Sequence, residues 1–303
     1  MQVRAYAPGI YPRSEALIQA TRDLDRGRIA QAALDEQLES DEAALVAAQE
    51  EAGLDLLADG MLRWQDIFRP LTEASEGLDA RPLTRFLDTN TFYRAVLVTG
   101  EPWLREPLRA PDLPEGRWLA TLPSPLALAR AAGGAVGAEK LAAQVLAPQV
   151  AAYADAGCAL VVLSDPFLVR QGGAEEAVAA LRELPDTVSL VLQLPFGDAA
   201  TVLIELADAP VDGIGIDFYG TSLEAVPDGY PKEIVAGVVD SRSSALEDPS
   251  EVVSFVNGIL QRDPAGISLT VNGDLQFVPE RIAHEKLGRL GLARGVLTEG
   301  VPA

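Results

Sequence analysis

The residues of this chain best equipped for chemistry stand where short apolar runs end, as in VLQLPFG, where Gln193 closes a run of strand-forming residues. Arg13 follows the first such run, Asp59 with Arg63 and Asp66 the second, Ser124 the third, and Ser164 with Asp165 the fourth. The series continues with Gln193, then Asp217, then Asp240 with Arg242, and finally Asn272 with Asp274. Carboxylates, guanidiniums and amides gathered on one face would hold a polar, zwitterionic small molecule by charge-assisted hydrogen bonds. Asp165 and Asp217 would supply acid or base function, and Arg13, Arg63 and Arg242 would grip an anionic portion. Asp59, Asp66, Ser164, Gln193, Asp240 and Asn272 complete the expected binding set. Each residue alone is equally well explained as the cap of a following helix, since Asp, Asn and Ser favour that position. Only their convergence would make a site.

The elements that must bring them together are eight candidate strands, at residues 2–7, 54–59, 118–122, 159–163, 187–192, 213–217, 234–239 and 266–271. Amphipathic or Ala-rich stretches at 29–52, 139–156, 174–184, 198–206, 249–261 and 279–290 alternate with them, the pattern of βα units in a parallel sheet. Eight such units fit a closed (β/α)8 TIM barrel, where chemistry sits at the C-terminal ends of the strands. No strand runs into a G-x-G-x-x-G turn, which argues against a dinucleotide fold. Residues 72–114 carry five prolines and no clean period, so they read as an insertion at the barrel mouth between strands two and three of one domain.

Composition narrows the partners. With 24 basic against 45 acidic residues the formal charge is −21, which disfavours nucleic acid and anionic membranes, since both are bound through Lys and Arg. The longest charge-free stretch, 141–154, is too short to span a bilayer, and the N-terminus lacks a signal-peptide core, so a cytoplasmic location is expected. The single cysteine, Cys158, lies in an apolar run and reads as a small buried hydrophobe; the single histidine, His284, reads as a helix-surface residue.

Several stretches resemble the cobalamin-independent methionine synthases and their single-barrel relatives, which belong with the uroporphyrinogen decarboxylase-like barrels. PGIYPRSEALIQA (8–20) is similar to that family's opening G-S-x-P-R-T segment, and QEEAGLDLLADGMLRWQDIF (49–68) resembles its Q-x-x-x-G-x-D-x-x-x-D-G-E motif. FYRAVLVTG (92–100), LVVLSDPFL (160–168), VAGVVDSRSSALEDPSEV (235–252) and LTVNGDLQFVPERIAHEKLGRL (269–290) extend the likeness nearly end to end. The resemblance implies a TIM barrel, methyl transfer and a place in methionine biosynthesis.

It also implies a catalytic zinc, whose ligands in the family are His-x-Cys, a Glu and a late Cys. The corresponding positions here are Gln193 with Pro195, the neighbourhood of Asp217, and Gly273. Only Asp217 could bind metal, so the expectation is a barrel without zinc and with no cofactor of its own, a folate-type methyl donor remaining compatible. An oxygen-ligated ion such as magnesium on Asp165, Asp217, Asp240 and Asn272 is an open alternative. The family's amino-group glutamate falls on Met61, its serine on Ile10 and its D-E-P aspartate on Ser164, so the homocysteine contacts are not retained. Three readings stay open, of which the blandest is a stable degenerate barrel whose ligand is unrelated to methyl transfer. A second is methyl or one-carbon transfer to a different small molecule, and the third is a noncatalytic ligand- or folate-binding subunit beside a separate zinc-bearing barrel, as in long family members whose zinc-free half helps to hold folate. An aromatic ring at Phe92 or Tyr93 is a candidate to stack on a pterin, with core packing as the ordinary use of such side chains.

Overall fold

The computed structural model describes residues 3–64, 66–87 and 91–299. Residue 2 of the first expected strand and residues 88–90 of the expected insertion lie outside the described residues. The strands are β1 (Arg4–Ala5), β2 (Ser75–Arg85), β3 (Phe92–Leu104), β4 (Leu119–Pro123), β5 (Leu160–Ser164), β6 (Ser189–Leu194), β7 (Gly213–Asp217), β8 (Glu233–Val239) and β9 (Gly266–Val271). Seven form one curled parallel sheet in the order β1-β9-β8-β7-β6-β5-β4, and β2 pairs with β3 as a separate antiparallel hairpin.

Residues 54–59 were expected as a full strand but form only a bridge between the sheet's two edges. Asp55 N donates to Ala5 O on one side (2.9 Å), while Leu57 N donates to Arg117 O and Leu57 O accepts from Leu119 N on the other (both 2.9 Å). Side chains replace the remaining ladder. Gln49 Oε1 accepts from Ala58 N (2.9 Å) and its Nε2 donates to Ala58 O (2.8 Å), while Asp55 Oδ2 accepts from Ala5 N (2.8 Å) and the carboxylate pairs with Arg294. Buried backbone groups must be paired somewhere, and Gln49 and Asp55 of the QEEAGLD stretch do that work here.

The buried apolar residues separate into two clusters by alternation along the strands. Tyr6, Leu56, Ala58, Leu119, Leu160, Val162, Val191 and Val235 meet on the concave face. Alternate residues such as Val161, Leu163, Leu192, Ile214 and Ile216 pack outward under the helices. The same alternation puts Gln193, Asp217, Thr270 and Asn272 on the concave side, at the ends where β6, β7 and β9 finish. Gly237 lets β8 and β9 approach closely, since a Cβ there would lie 2.8 Å from Asn272 Cα.

Two helices not expected from the sequence, Glu15–Asp25 and Pro125–Ala131, are capped by Ser14 and Ser124. The 139–156 helix is interrupted by a π-turn at Ala142–Leu146, immediately before Pro148, whose missing N–H rules out a regular ladder. The 198–206 segment is not a helix but two short 3-10 turns, Ala199–Thr201 and Glu205–Asp208. The last helix runs on to Glu280–Glu299. Much of the irregular insertion expected at 72–114 is the β2–β3 hairpin, whose Phe86 rests on Phe167 (6.5 Å between centroids) and Phe196 (6.3 Å), beyond the ends of β5 and β6. No helix of the described residues is long and apolar enough to cross a membrane.

Candidate functional site

The end of β7 carries the centre of the cluster. Asp217 is 1% exposed; its Oδ1 accepts from Tyr219 N (3.0 Å) and from Asn272 Nδ2 (3.0 Å), and its Oδ2 has no partner. Loss of solvation holds the Asp217 carboxyl above the ordinary carboxylate range, and the Asn272 hydrogen bond, the Tyr219 N–H and the nearby Arg242 guanidinium draw it partly back. Asn272 ties three strand ends together. Its Nδ2 also reaches Asp240 Oδ1 (3.2 Å), and its Oδ1 accepts from Ser241 N (2.8 Å).

Gln193 Nε2 donates to Val271 O (3.1 Å), so its amide nitrogen braces β6 against β9. Immediately past Pro195, the chain turns through Phe196 and Gly197, and Phe196 takes a positive φ of 66°, a strained conformation for a bulky residue. That turn lays the Phe196 ring over Gly273: a Cβ on Gly273 would meet it at 2.7 Å. The Arg242 guanidinium lies over the same ring, 5.1 Å from its centroid, and Phe277 packs edge-on at 5.5 Å.

The structure thus brings Gln193, Asp217, Asp240, Arg242 and Asn272 together at the ends of β6 to β9. Asp165 sits at the end of β5 with a different set of partners. Its Oδ2 accepts from Ser124 Oγ (2.5 Å) and its Oδ1 from Phe167 N (3.1 Å) and Leu168 N (2.9 Å). Burial raises its pKa, while Ser124, Arg130 and the two amides pull the other way. Ser164, beside it, contributes its carbonyl to Ser124 N (2.9 Å).

The remaining expected site residues serve local structure. Arg13 donates to Trp64 O (2.9 Å). Asp59 accepts from Met61 N (2.9 Å), supporting the positive φ of Met61, and burial raises its pKa. Arg63 forms an exposed two-point pair with Glu42 (2.7 and 3.1 Å). Asp66 caps Phe68 N and Arg69 N and holds the hairpin through Arg94 N (3.0 Å). Tyr93 packs on Phe68 and Phe86, whereas Phe92 is half-exposed.

Sequence reasoning passed over Ser241, Thr270 and Phe196. Thr270 had a usable signal, lying two residues before Asn272 and therefore on the same face of β9; Phe196 had none, because its role follows from a backbone turn. Cys158 is buried with its thiol pushed up to about 11 by desolvation, an inert state, and His284 is exposed on its helix. Among the described residues no three His, Cys, Asp or Glu side chains converge in a way that could hold a metal ion.

Comparison with known proteins finds similarity to one kind of protein. Residues 122–263 match the family described as cobalamin-independent synthase, N-terminal domain. The 5-methyltetrahydropteroyltriglutamate–homocysteine methyltransferase of Streptococcus sanguinis is 31% identical over 147 residues, which is 45% of this chain but only 19% of that longer protein. The methionine synthase of Saccharolobus solfataricus is 24% identical over 300 residues, covering 92% of this chain and 90% of its own length. The solved structure of a B12-independent methionine synthase from Shewanella sp. W3-18-1 with selenomethionine superposes with a TM-score of 0.70 at 15% identity, over 90% of this chain and 91% of the other, a likeness of fold. Over β4 to β8 this chain is therefore similar to the N-terminal domain of the cobalamin-independent synthases, and over nearly its whole length it shares the fold of a B12-independent methionine synthase.

Proposed function

We propose that this chain is a methyltransferase-type barrel that transfers a methyl or other one-carbon group to a small molecule without the family's catalytic zinc. One observation carries the reading. Of the four positions that resemble the zinc ligands, Gln193 has its amide nitrogen committed to Val271 O, Pro195 has no ligating atom, and Gly273 lies under the Phe196 ring. Asp217 alone could ligate, and a tetrahedral nitrogen and sulfur site needs four such groups. In this reading residues 54–59 complete an eight-stave barrel, the protein is cytoplasmic, and Asp217 acts as acid or base with its unpaired Oδ2 toward the ligand. Asp165 has both carboxylate oxygens engaged, by a hydroxyl and two amides, so in this reading the chemistry rests on Asp217.

A second reading has its own support. The matched family segment is the N-terminal domain, and by resemblance the zinc-free half of long members helps to hold folate. A zinc-free barrel could then serve as the folate-binding partner of a separate zinc-bearing one. Metal analysis of protein purified without added metal or chelator, joined to methyl-transfer assays with methylfolate, separates the readings. The primary reading expects no stoichiometric zinc and an activity lost in Asp217→Asn. Stoichiometric zinc would sink both; stabilisation by methylfolate with turnover only when a zinc-bearing barrel is added would favour the second.

A further inference from the structure

Lys286, on the last helix, is the only lysine or arginine buried among the described residues, and its side chain is wholly screened from solvent. Its ammonium is fully occupied: Nζ reaches Glu247 Oε1 (2.8 Å), Glu247 Oε2 (3.0 Å) and Ala245 O (2.7 Å). Glu247 is in turn a junction. Its Oε1 also accepts from Asp240 N (2.9 Å) and from the Tyr219 hydroxyl (3.2 Å). Both of those residues lead to the strand ends that carry the candidate site. Tyr219 N donates to Asp217 Oδ1 (3.0 Å), and Asp240 Oδ1 accepts from Asn272 Nδ2 (3.2 Å) and from Arg242 N (3.0 Å). One carboxylate, anchored by one ammonium on the last helix, therefore joins the turn after β7 to the loop after β8.

Packing alone does not hold that loop. Arg242, Ser244 and Ala245 are exposed, and the loop borders a cavity of about 400 Å³ whose lining includes Tyr219, Asp240, Ser243, Leu246, Glu247 and Phe255. Burying a lysine and a glutamate costs desolvation that their attraction barely offsets, and apolar residues of similar volume hold a fold as well or better. What an apolar pair cannot do is draw three donors from three separate elements onto one oxygen, as Glu247 Oε1 does. We propose that Lys286 and Glu247 are positioning residues, whose buried ion pair fixes the β8 loop, with Asp240 and the Arg242 guanidinium over Phe196, in register with the Asp217 turn. This assignment rests on the reading of the β6–β9 strand ends as the ligand site, and it names what keeps that site in shape.

The test compares the full-length wild type with the double variant Lys286→Met/Glu247→Leu, which leaves no buried charge unpaired, by NMR hydrogen exchange. In the double variant the amides of Asp240, Ser241 and Arg242 should exchange about tenfold faster, the worth of one hydrogen bond, while those of β5 and β6 keep their wild-type rates. The shift that the Phe196 ring imposes on the Arg242 side-chain N–H should be lost as well. Tyr219→Phe, a change at a half-exposed residue, tests the same junction without touching the ion pair and decides the matter if the double variant does not fold. It should quicken exchange at Tyr219 N by about fivefold and leave β5 and β6 unchanged. Exchange that rises evenly through every strand, or that stays at wild-type rates beside an intact Arg242 shift, would reduce the pair to a support of the fold and overturn the proposal; so would an unchanged Tyr219 amide in Tyr219→Phe. None of these readouts needs turnover. Absence of methyl transfer in the wild type would overturn the proposed function, with exchange still deciding the positioning role.

Discussion

Asp165 and Asp217 make a controlled comparison within one sheet. Both are buried aspartates at the C-terminal ends of parallel strands, both are followed by a turn whose amides they cap, and burial raises the pKa of both. They differ in what reaches the second oxygen. Ser124 Oγ closes on Asp165 Oδ2, whereas Asp217 Oδ2 is left unpaired. A carboxylate with both oxygens engaged is a structural joint between β4, β5 and the turn at Phe167 and Leu168. One that is held by Asn272 and Tyr219 keeps an oxygen with no partner. Residue type and burial therefore do not separate the two roles; the count of filled acceptor positions does.

The sharpest way to break this comparison is to truncate both residues. Asp165→Ala should lose about 2–4 kcal/mol in denaturant unfolding, because it removes a cap and strands the buried Ser124 hydroxyl. Asp217→Ala should lose about 1 kcal/mol, since the bonds it gives up are offset by relief of a buried, half-paired charge. Equal losses would mean that the two carboxylates are architectural alike.

Asp274, at the end of β9, is an intermediate case. Its Oδ1 accepts from Ile10 N (3.2 Å) and its Oδ2 from Gln276 Nε2 (3.2 Å), yet burial pushes it up to about 6. The folded state thus holds this proton more tightly than the unfolded chain, whose value is near 4. Stability is therefore lost as pH rises through that window, by roughly 3 kcal/mol once Asp274 is ionised. Asp274→Asn, which cannot ionise, should match the wild type near pH 4 and exceed it by up to about 3 kcal/mol near pH 8. A constant difference across that range would assign the effect to packing.

Gly273→Ala probes the side of the site that Phe196 closes. The added methyl meets the ring, so a loss of about 1–3 kcal/mol is expected, together with a change in the Phe196 ring signals in NMR. The smallest effect belongs to Arg63→Ala. Its pair with Glu42 is solvent-exposed, so unfolding stability should change by less than about 1 kcal/mol and ligand binding should not change. A binding defect would bring Arg63 back among the ligand-holding residues.

The fold was legible where hydrophobic periodicity is strong. Seven of the expected strands are strands in one parallel sheet, because an apolar run of that length bounded by turns has few other ways to be buried. The exceptions have local causes. Residues 54–59 look like a strand, but Gln49 and Asp55 take over their backbone bonding. Residues 72–114 looked irregular because their prolines mask a hairpin, which is aligned through two register shifts. Helices 15–25 and 125–131 were signalled by Ser14 and Ser124, residues that also suit a loop.

The site divides along the same line. Sequence by itself determined which side chains stand at the strand ends, and so the polar character of the rim, since alternation along a strand decides which face each residue joins. It also determined that Gln193, Pro195 and Gly273 carry neither an imidazole nor a thiol. Tertiary structure alone decided that Asn272 bridges Asp217 and Asp240, that Ser124 rather than a ligand completes Asp165, and that Phe196 leans over Gly273. The physical reason is distance along the chain. Asn272 and Asp217 are 55 residues apart and Ser124 and Asp165 are 41 apart, so no local pattern reports those bonds, and only the closing of the strands against one another sets which carboxylate oxygen is left free.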